Sequence, residues 1–347
     1  MLAKSLFRPL LISAFSVLAV PAMATPLTSL EVLQQFNLVV YHNATSNSHV
    51  DGRTYVGGSL SGGDYVQHAN TTPNSAYAGL TVGGAASGVN VNGKGIVTGG
   101  SLSNANINGG SSVVGGAAAN VNFNGGTSYV AGATSGVNFN GGKVTNLSAS
   151  PALQSMATAA TSTNFPQVMN ALSDQLSHYA STGSTVSING NKATFNAVAD
   201  ANGFAVFDLT QIDTLLFGLG EFQFNLGTAT TILFNTDNTS YNIGANFLGG
   251  SAALLGTKAI WNFYNATSLV INSQFGGVVL ATDAALTNNQ NIEGTVVVDS
   301  LTQHGEIHQQ NFQGTLPTQT VAEPGSLLLM LCALLSLCLA KWVRRQG

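Results

Sequence analysis

The sequence predicts a mainly β protein: a β-solenoid, or β-helix-like stack, with coils of about 16 residues and one flanking amphipathic helix. Three observations predict it. First, residues 80–143 divide without a gap into four lines: LTVGGAASGVNVNGKG, IVTGGSLSNANINGGS, SVVGGAAANVNFNGGT and SYVAGATSGVNFNGGK. Second, the columns are chemically fixed. Val89, Ala105, Val121 and Val137 form one apolar column, and Val91, Ile107, Phe123 and Phe139 another. Between and after them stand Asn90, Asn106, Asn122, Asn138 and Asn92, Asn108, Asn124, Asn140. Third, a similar coil recurs far downstream, so the solenoid is discontinuous. Phe275–Leu280 and Ile292–Val297 carry related strings, and Val50-Asp51-Gly52 echoes Ile292-Glu293-Gly294.

The apolar–Asn–apolar–Asn columns alternate with period two, which defines a strand with one face inward. A second short strand, such as Ile96-Val97-Thr98, precedes the glycine pairs Gly83-Gly84, Gly99-Gly100 and Gly115-Gly116. Glycine suits corners because it tolerates φ > 0. Sixteen residues at roughly 3.3 Å each give a path of about 53 Å, enough for a narrow coil, and coils stack at roughly 4.8 Å. Stacking places like on like, so the Asn columns are expected to form amide ladders. They carry no carboxylate, which favours a structural role over ligand or ion binding.

Taken in order, residues 25–320 form the solenoid domain. Leu30, Leu33, Phe36 and Val40 are spaced for a short helix leading into a strand, expected to cap the first coil. Residues 63–79 are expected to be an inserted loop. The regular coils occupy 80–143. Phe165, Val168, Met169, Leu172 and Leu176 then share one helical face, so a helix is expected over about 164–181, capped by Asn164 and lying along the solenoid flank. Strands resume over 185–314: Thr185–Ile188, Ala193–Ala197, Phe204–Asp208, Glu221–Asn225, Thr231–Asn235, Ser268–Ile271, Gly277–Ala281 and Gly294–Asp299.

The ends point to export. Lys4 and Arg8 precede LLISAFSVLAV, and Ala22 and Ala24 supply a small-residue cleavage site, so residues 1–24 are expected to be a signal peptide. Residues 321–347 carry Glu323, Pro324 and Gly325, an apolar run over 326–343 and the basic residues Lys341, Arg344 and Arg345. The run is long enough to span a thin membrane. This layout resembles the PEP-CTERM sorting signal of Gram-negative bacteria, although Ala322 stands where the first proline of that motif belongs. The resemblance implies an exosortase-type processing enzyme as partner. It also implies membrane attachment through the tail before processing, then release or retention at the cell surface, outer membrane or extracellular matrix.

Only 7% of the residues are charged, far below a typical soluble protein. Residues 25–321 hold five Lys/Arg and thirteen Asp/Glu, a formal charge of −8. No basic patch exists, so nucleic acid is excluded as a partner. Both cysteines, Cys332 and Cys338, lie in the tail, which removes a disulfide framework from the domain.

FNLVVYHN followed by DGRTYVGGSLSG, and the closing LVINSQFGGVVLATDAALTNNQNIEGTVVVDSLTQHGEIHQQNF, resemble the choice-of-anchor A domain of bacterial surface proteins. The resemblance covers roughly residues 30–314 and implies surface attachment and adhesion. The coil–helix–coil layout is also similar, at the level of architecture, to bacterial ice-binding β-solenoids.

Chemistry is sparse. His304, Glu306 and His308 would share one face at strand spacing and are weak metal candidates; a polar last strand is the plainer reading, so no metal or other cofactor is expected. Asp51, Asp64, Asp200, Asp208, Asp213, Asp237, Asp283 and Asp299 could supply a carboxylate pair for sugar hydrolysis. The regular coils contain no Asp, Glu, Arg or His, which weighs against an enzyme. The expectation is an exported structural or adhesive protein of matrix or biofilm, with surface polysaccharide as a partner and no catalysis. Tyr55, Tyr65, Tyr77 and Tyr129 are candidates to stack on sugar rings. The adhesive face is expected in the 63–79 loop or in the half after Thr185. The alternatives are an ice-binding-like solenoid, which needs a flat face of hydroxyls in register, and a glycan-acting β-helix enzyme. Thr81, Thr98 and Thr134 do not share a column.

Overall fold

The structure is a computed structural model that describes residues 25–316. The residues expected to form a signal peptide, including Ala22 and Ala24, and the tail with Glu323, Pro324 and Gly325 lie outside the described residues. Among the described residues no helix is long and apolar enough to cross a membrane.

The chain is one discontinuous solenoid with three faces per coil. Along the first face, strands pair in parallel from Phe204–Asp208 through Thr231–Thr236, Ala259–Phe263, Val278–Asn288 and Val296–Gln303. The next strand in space is Leu38–Val40, near the start of the domain, with Leu38 opposite Val296 on one side and Thr54 on the other. The stack then continues through Thr54–Val56, Leu80–Val82, Ile96–Thr98, Ser112–Val114 and Thr127–Val130 to Gly142–Val144. The two β halves of the sequence therefore meet as neighbours in the middle of a single stack.

Each regular coil has three sides, not the two strands that the column pattern suggested. Leu102–Ile107 and Ala118–Phe123 each cross a corner: Asn104 and Asn120 stand at φ 51° and 54°, in register with Gly88 at 67° and Gly136 at 62°. This left-handed column bends the chain between the second and third faces, and only Gly and Asn enter that region at low cost. The paired glycines do something else. Gly83, Gly99 and Gly115 do not have positive φ; a Cβ there would stand 2.1–2.5 Å from the glycine carbonyl oxygen of the coil below. Those positions need glycine because backbones stack too closely for a side chain.

Burial follows the topology. The main core fills the solenoid interior: Leu38, Val50, Leu80, Val91, Ile107 and Phe123 in the narrow coils, and Phe195, Phe207, Phe222, Phe234, Trp261 and Phe275 in the wider ones. Coil length explains the change. Stacked residues are 16 apart in the regular coils but 27 apart between Asn235 and Asn262, and the longer path encloses room for rings. The third face of the wide half is its own four-stranded sheet, opened by the antiparallel hairpin of Thr185–Asn189 and Lys192–Asn196.

The first face is buried on both sides. Helix α1 (Ser29–Gln35), helix α2 (Pro151–Ala159) and helix α3 (Phe165–Ser177) lie over it. Phe165, Met169, Leu172 and Leu176 of α3 join Val206, Leu233, Ile260 and Val278, while Leu153 of α2 meets Val97 and Val113. A polar seam fixes α3: Asn235 Nδ2 donates to Leu176 O at 2.7 Å, and Asn262 Nδ2 donates to Ser173 O at 2.9 Å. Two expectations change here. Helix α1 caps no solenoid end, because its strand is sandwiched between coils. Helix α2 was not read from the sequence; its run PALQSMATA is short, and it needs the flank beneath it to bury Leu153.

Candidate functional site

With the first face covered by helices, the second and third faces are exposed to solvent. The second carries an outward column whose register runs Asn242, Val270, Thr287, Thr302, Thr45, Ser61, Ser87, Ser103, Ala119, Ser135. Hydroxyls are unbroken from Thr287 to Ser103. Beside it run Ser240, Ser268, Ala285 and Ser300. The inward residues between them, including Leu269, Leu286, Leu301, Leu60 and Leu102, are buried in the solenoid interior. Where the two halves meet, Thr45, Thr287 and Thr302 line a shallow trough of about 240 Å³ with Asn43 and Ser300. Every side chain in these columns is uncharged, and from Thr287 to Ser103 the outward column is a row of hydroxyls at roughly 4.8 Å spacing.

The third face carries the amide ladders. Asn106, Asn122 and Asn138 each donate to the Asn of the coil before, at 2.9, 2.8 and 2.7 Å, and the ladder starts at Asp64 Oδ1, 2.6 Å from Asn90 Nδ2. Asn108, Asn124 and Asn140 repeat the pattern from Asn92 at 2.9, 3.0 and 2.8 Å. A third contact joins Asn120 to Asn104 at the corner. Each interior amide uses one donor and one acceptor on its neighbours, and the last of each ladder, Asn138 and Asn140, only donates.

The same columns change character at the seam. The strand His49–Val50 lies between Ile307–His308 and Asp64–Tyr65, and Glu293 is opposite His308. His49, Glu306 and His308 thereby come together, half-buried, with one ligand atom from each within 4.8 Å of the others. His308 Nε2 is 2.7 Å from Glu306 Oε2, and its Nδ1 is 2.7 Å from Glu293 Oε1. Burial lowers the pKa of His308, but hydrogen bonds to Glu306 and Glu293 and the charge of Glu293 outweigh it and hold the imidazole above its ordinary value. Glu306 is held below its ordinary value, chiefly by its hydrogen bond with His308.

The family described as "Putative Ice-binding-like adhesive domain" matches residues 29–309. The chain belongs to that family. No curated protein matches it. Among solved structures it is similar to an ice-binding protein from an Antarctic bacterium, Flavobacteriaceae. The identity is 11% over 84% of this chain and 100% of that chain, with a TM-score of 0.28, too distant to carry residue roles across.

Within this ice-binding-like adhesive domain, several sequence candidates fall elsewhere than expected. His304 does not join Glu306 and His308: the strand ends at Gln303, and the His304 and Gly305 N–H groups both donate to Asn288 O, turning a corner that breaks the period-two spacing. His304 instead faces Asn47, exposed. His49, Asp51, His68 and Glu293 were missed as its companions; the echo of Val50-Asp51-Gly52 in Ile292-Glu293-Gly294 was the signal that could have stacked them. The tyrosines do not offer a sugar platform. Tyr65 and Tyr77 are buried, Tyr55 stacks on Phe165 at 4.1 Å, and Tyr129 packs under α2. The 63–79 stretch begins with the strand Asp64–Tyr65 and ends in the core. Of the aspartates, Asp51 and Asp213 are buried. Asp213 accepts from Thr236, Tyr241 and Asn238, locking a corner.

Proposed function

We propose that the protein is an exported, surface-displayed adhesive module that acts by binding, without catalysis, and that its second face holds neutral polysaccharide. The unbroken register of Thr287, Thr302, Thr45, Ser61, Ser87 and Ser103 carries this reading. An extended polymer with repeating hydroxyls is matched by an extended, uncharged lattice of donors and acceptors. Family membership and the low charge of the chain support the same reading. The signal-peptide pattern of residues 1–24 and the resemblance of residues 321–347 to a sorting signal support the proposal of display at the surface of a Gram-negative cell, in matrix or biofilm, after processing by an exosortase.

The test is binding of the purified protein to arrayed neutral glycans, repeated with Thr45→Lys/Thr302→Lys. Both residues point outward, so the fold should survive. A loss of at least about tenfold in affinity is expected. Unchanged binding by the double variant would remove the second face from the argument. The same lattice favours a second reading, adsorption to ice, because hydroxyls repeat in register from coil to coil along one face. Thermal hysteresis and ice-crystal faceting by the wild-type protein, lost in the double variant, would select it over polysaccharide.

A further inference from the structure

We propose that His49, Glu306 and His308 form a binding site for a divalent transition metal of the zinc class, placed where the last coil meets the first. The donor set is two imidazoles and a carboxylate. That combination suits zinc and its borderline neighbours; calcium and magnesium prefer oxygen donors alone. Geometry agrees. His49 Nδ1 stands 3.6 Å from Glu306 Oε1, too far for a hydrogen bond. Two ligands each about 2.0–2.2 Å from one tetrahedral ion stand roughly 3.3–3.6 Å apart. The gap is therefore the width of an ion.

The surroundings are arranged as they are around bound metals, with carboxylates behind the histidines. Glu293, only 9% exposed at its side chain, holds His308 Nδ1 and leaves Nε2 toward Glu306. Asp51, 5% exposed, stands 3.6 Å from His49 Nε2 and 3.3 Å from His68 Nδ1. These carboxylates are themselves fixed: Gln274 Nε2 donates to Glu293 at 2.8 Å and the Gln309 N–H to Asp51 at 3.1 Å. Three carboxylates, Glu306, Glu293 and Asp51, surround the histidines, and a divalent cation that displaces the ring proton of His308 keeps that negative charge compensated. The one contact that must open is His308 Nε2 to Glu306 Oε2, at 2.7 Å. Glu306 is 39% exposed at its side chain, and apart from His308 its Oε2 takes a long hydrogen bond from Asn291 Nδ2 at 3.3 Å, which tolerates a swing by the necessary fraction of an ångström. Exposure at His49 and His308, each 29%, leaves a path for entry and a coordination position facing water.

The ligands come from opposite ends of the domain. His49 opens the strand that pairs with Ile307–His308, so one ion would clip the first coil to the last. Metal binding to the folded state alone raises stability by mass action.

The experiment is calorimetric titration and thermal melting of chelator-stripped protein with Zn²⁺ and, separately, Ca²⁺. Zinc should bind one per domain and raise the melting temperature by about 5 °C at a free concentration near 100 times the dissociation constant. Calcium should not. His49→Gln is the decisive variant, because the histidine makes no contact at hydrogen-bond distance with Asp51 or Glu306. Its metal-free melting temperature should match wild type while zinc affinity falls at least about tenfold. X-ray absorption of the zinc-loaded protein should show nitrogen and oxygen donors without sulfur, which separates this site from Cys332 and Cys338. No zinc-dependent shift, equal binding by His49→Gln, or sulfur ligation would each overturn the proposal.

Discussion

Arg53 is nearly fully buried, with no carboxylate beside it among the described residues, and replacing it tests how the start of the solenoid is held together. Its Nε donates to Tyr77 O at 3.3 Å and Ala78 O at 3.1 Å, and its Nη1 donates to Gln35 O at 3.1 Å. One side chain thus joins the end of α1, the coil at Thr54 and the end of the inserted stretch. Burial lowers the guanidinium pKa to about 10, a desolvation cost on the order of 3 kcal/mol at neutral pH. Against this, removing the donor orphans three carbonyls, two buried and one half-buried, at about 1–3 kcal/mol each. Arg53→Met relieves the first term and incurs the second, so a net loss of about 3 kcal/mol is expected. Arg53→Lys keeps a buried charge, and one ammonium cannot reproduce the planar fork that reaches all three oxygens. The lysine variant should therefore be at least as unstable as the methionine variant, the reverse of what charge conservation suggests. Urea denaturation measures both, and amide exchange should show the added opening concentrated in residues 74–79 and the end of α1. A methionine variant within about 0.5 kcal/mol of wild type, or a lysine variant as stable as wild type, would refute the reasoning.

Other expectations follow from single contacts. Asn122→Ala removes ladder bonds to both Asn106 and Asn138, at 2.8 and 2.7 Å, whereas Asn138→Ala removes one. At about 0.5–1.5 kcal/mol per bond, the interior variant should lose roughly twice as much in urea denaturation, and equal losses would argue against an additive ladder. Trp261, fully buried, stacks on Phe234 at 3.9 Å and donates to Gly276 O at 2.9 Å. Trp261→Ala should cost about 3–5 kcal/mol by the same measurement. Glu31 completes the α1 capping box with Thr28, whose backbone N–H bonds first among the causes that lower its pKa. A lowered carboxylate stabilises above its unfolded value near 4.5 and loses that contribution as pH falls through the folded value. Wild type should therefore melt above Glu31→Gln at pH 7, with the gap closing toward pH 3; a pH-independent gap would count against the linkage.

How much was legible can be argued from particular residues. Repetition made the regular coils readable: Asn90, Asn106, Asn122 and Asn138 recur at one spacing, and identical residues at a fixed period stack only one way. Val50-Asp51-Gly52 and Ile292-Glu293-Gly294 exposed the discontinuity for the same reason. Where coils lengthen beyond the repeat, the register vanished from view, and the strands Ser240–Ile243 and Ala259–Phe263 went unread. The hydroxyl face was hidden likewise. Within 80–143 its column holds only Ser87, Ser103, Ala119 and Ser135, and its threonines come from the other coils.

The sequence by itself determined the solenoid, its coil length, the Asn columns, the flanking helix α3 and the near absence of charge, because each is a property of local periodicity or composition. Only the tertiary structure decided the rest. It placed Leu38 against Val296, so that two distant halves share one stack. It put Thr45 beside Thr302 and His49 beside Glu306 and His308. It covered the first face with three helices and left the second and third to solvent. These are pairings between coils of unequal length. Their register is set by which interior side chains fill the space between faces, and no fixed period in the chain records that.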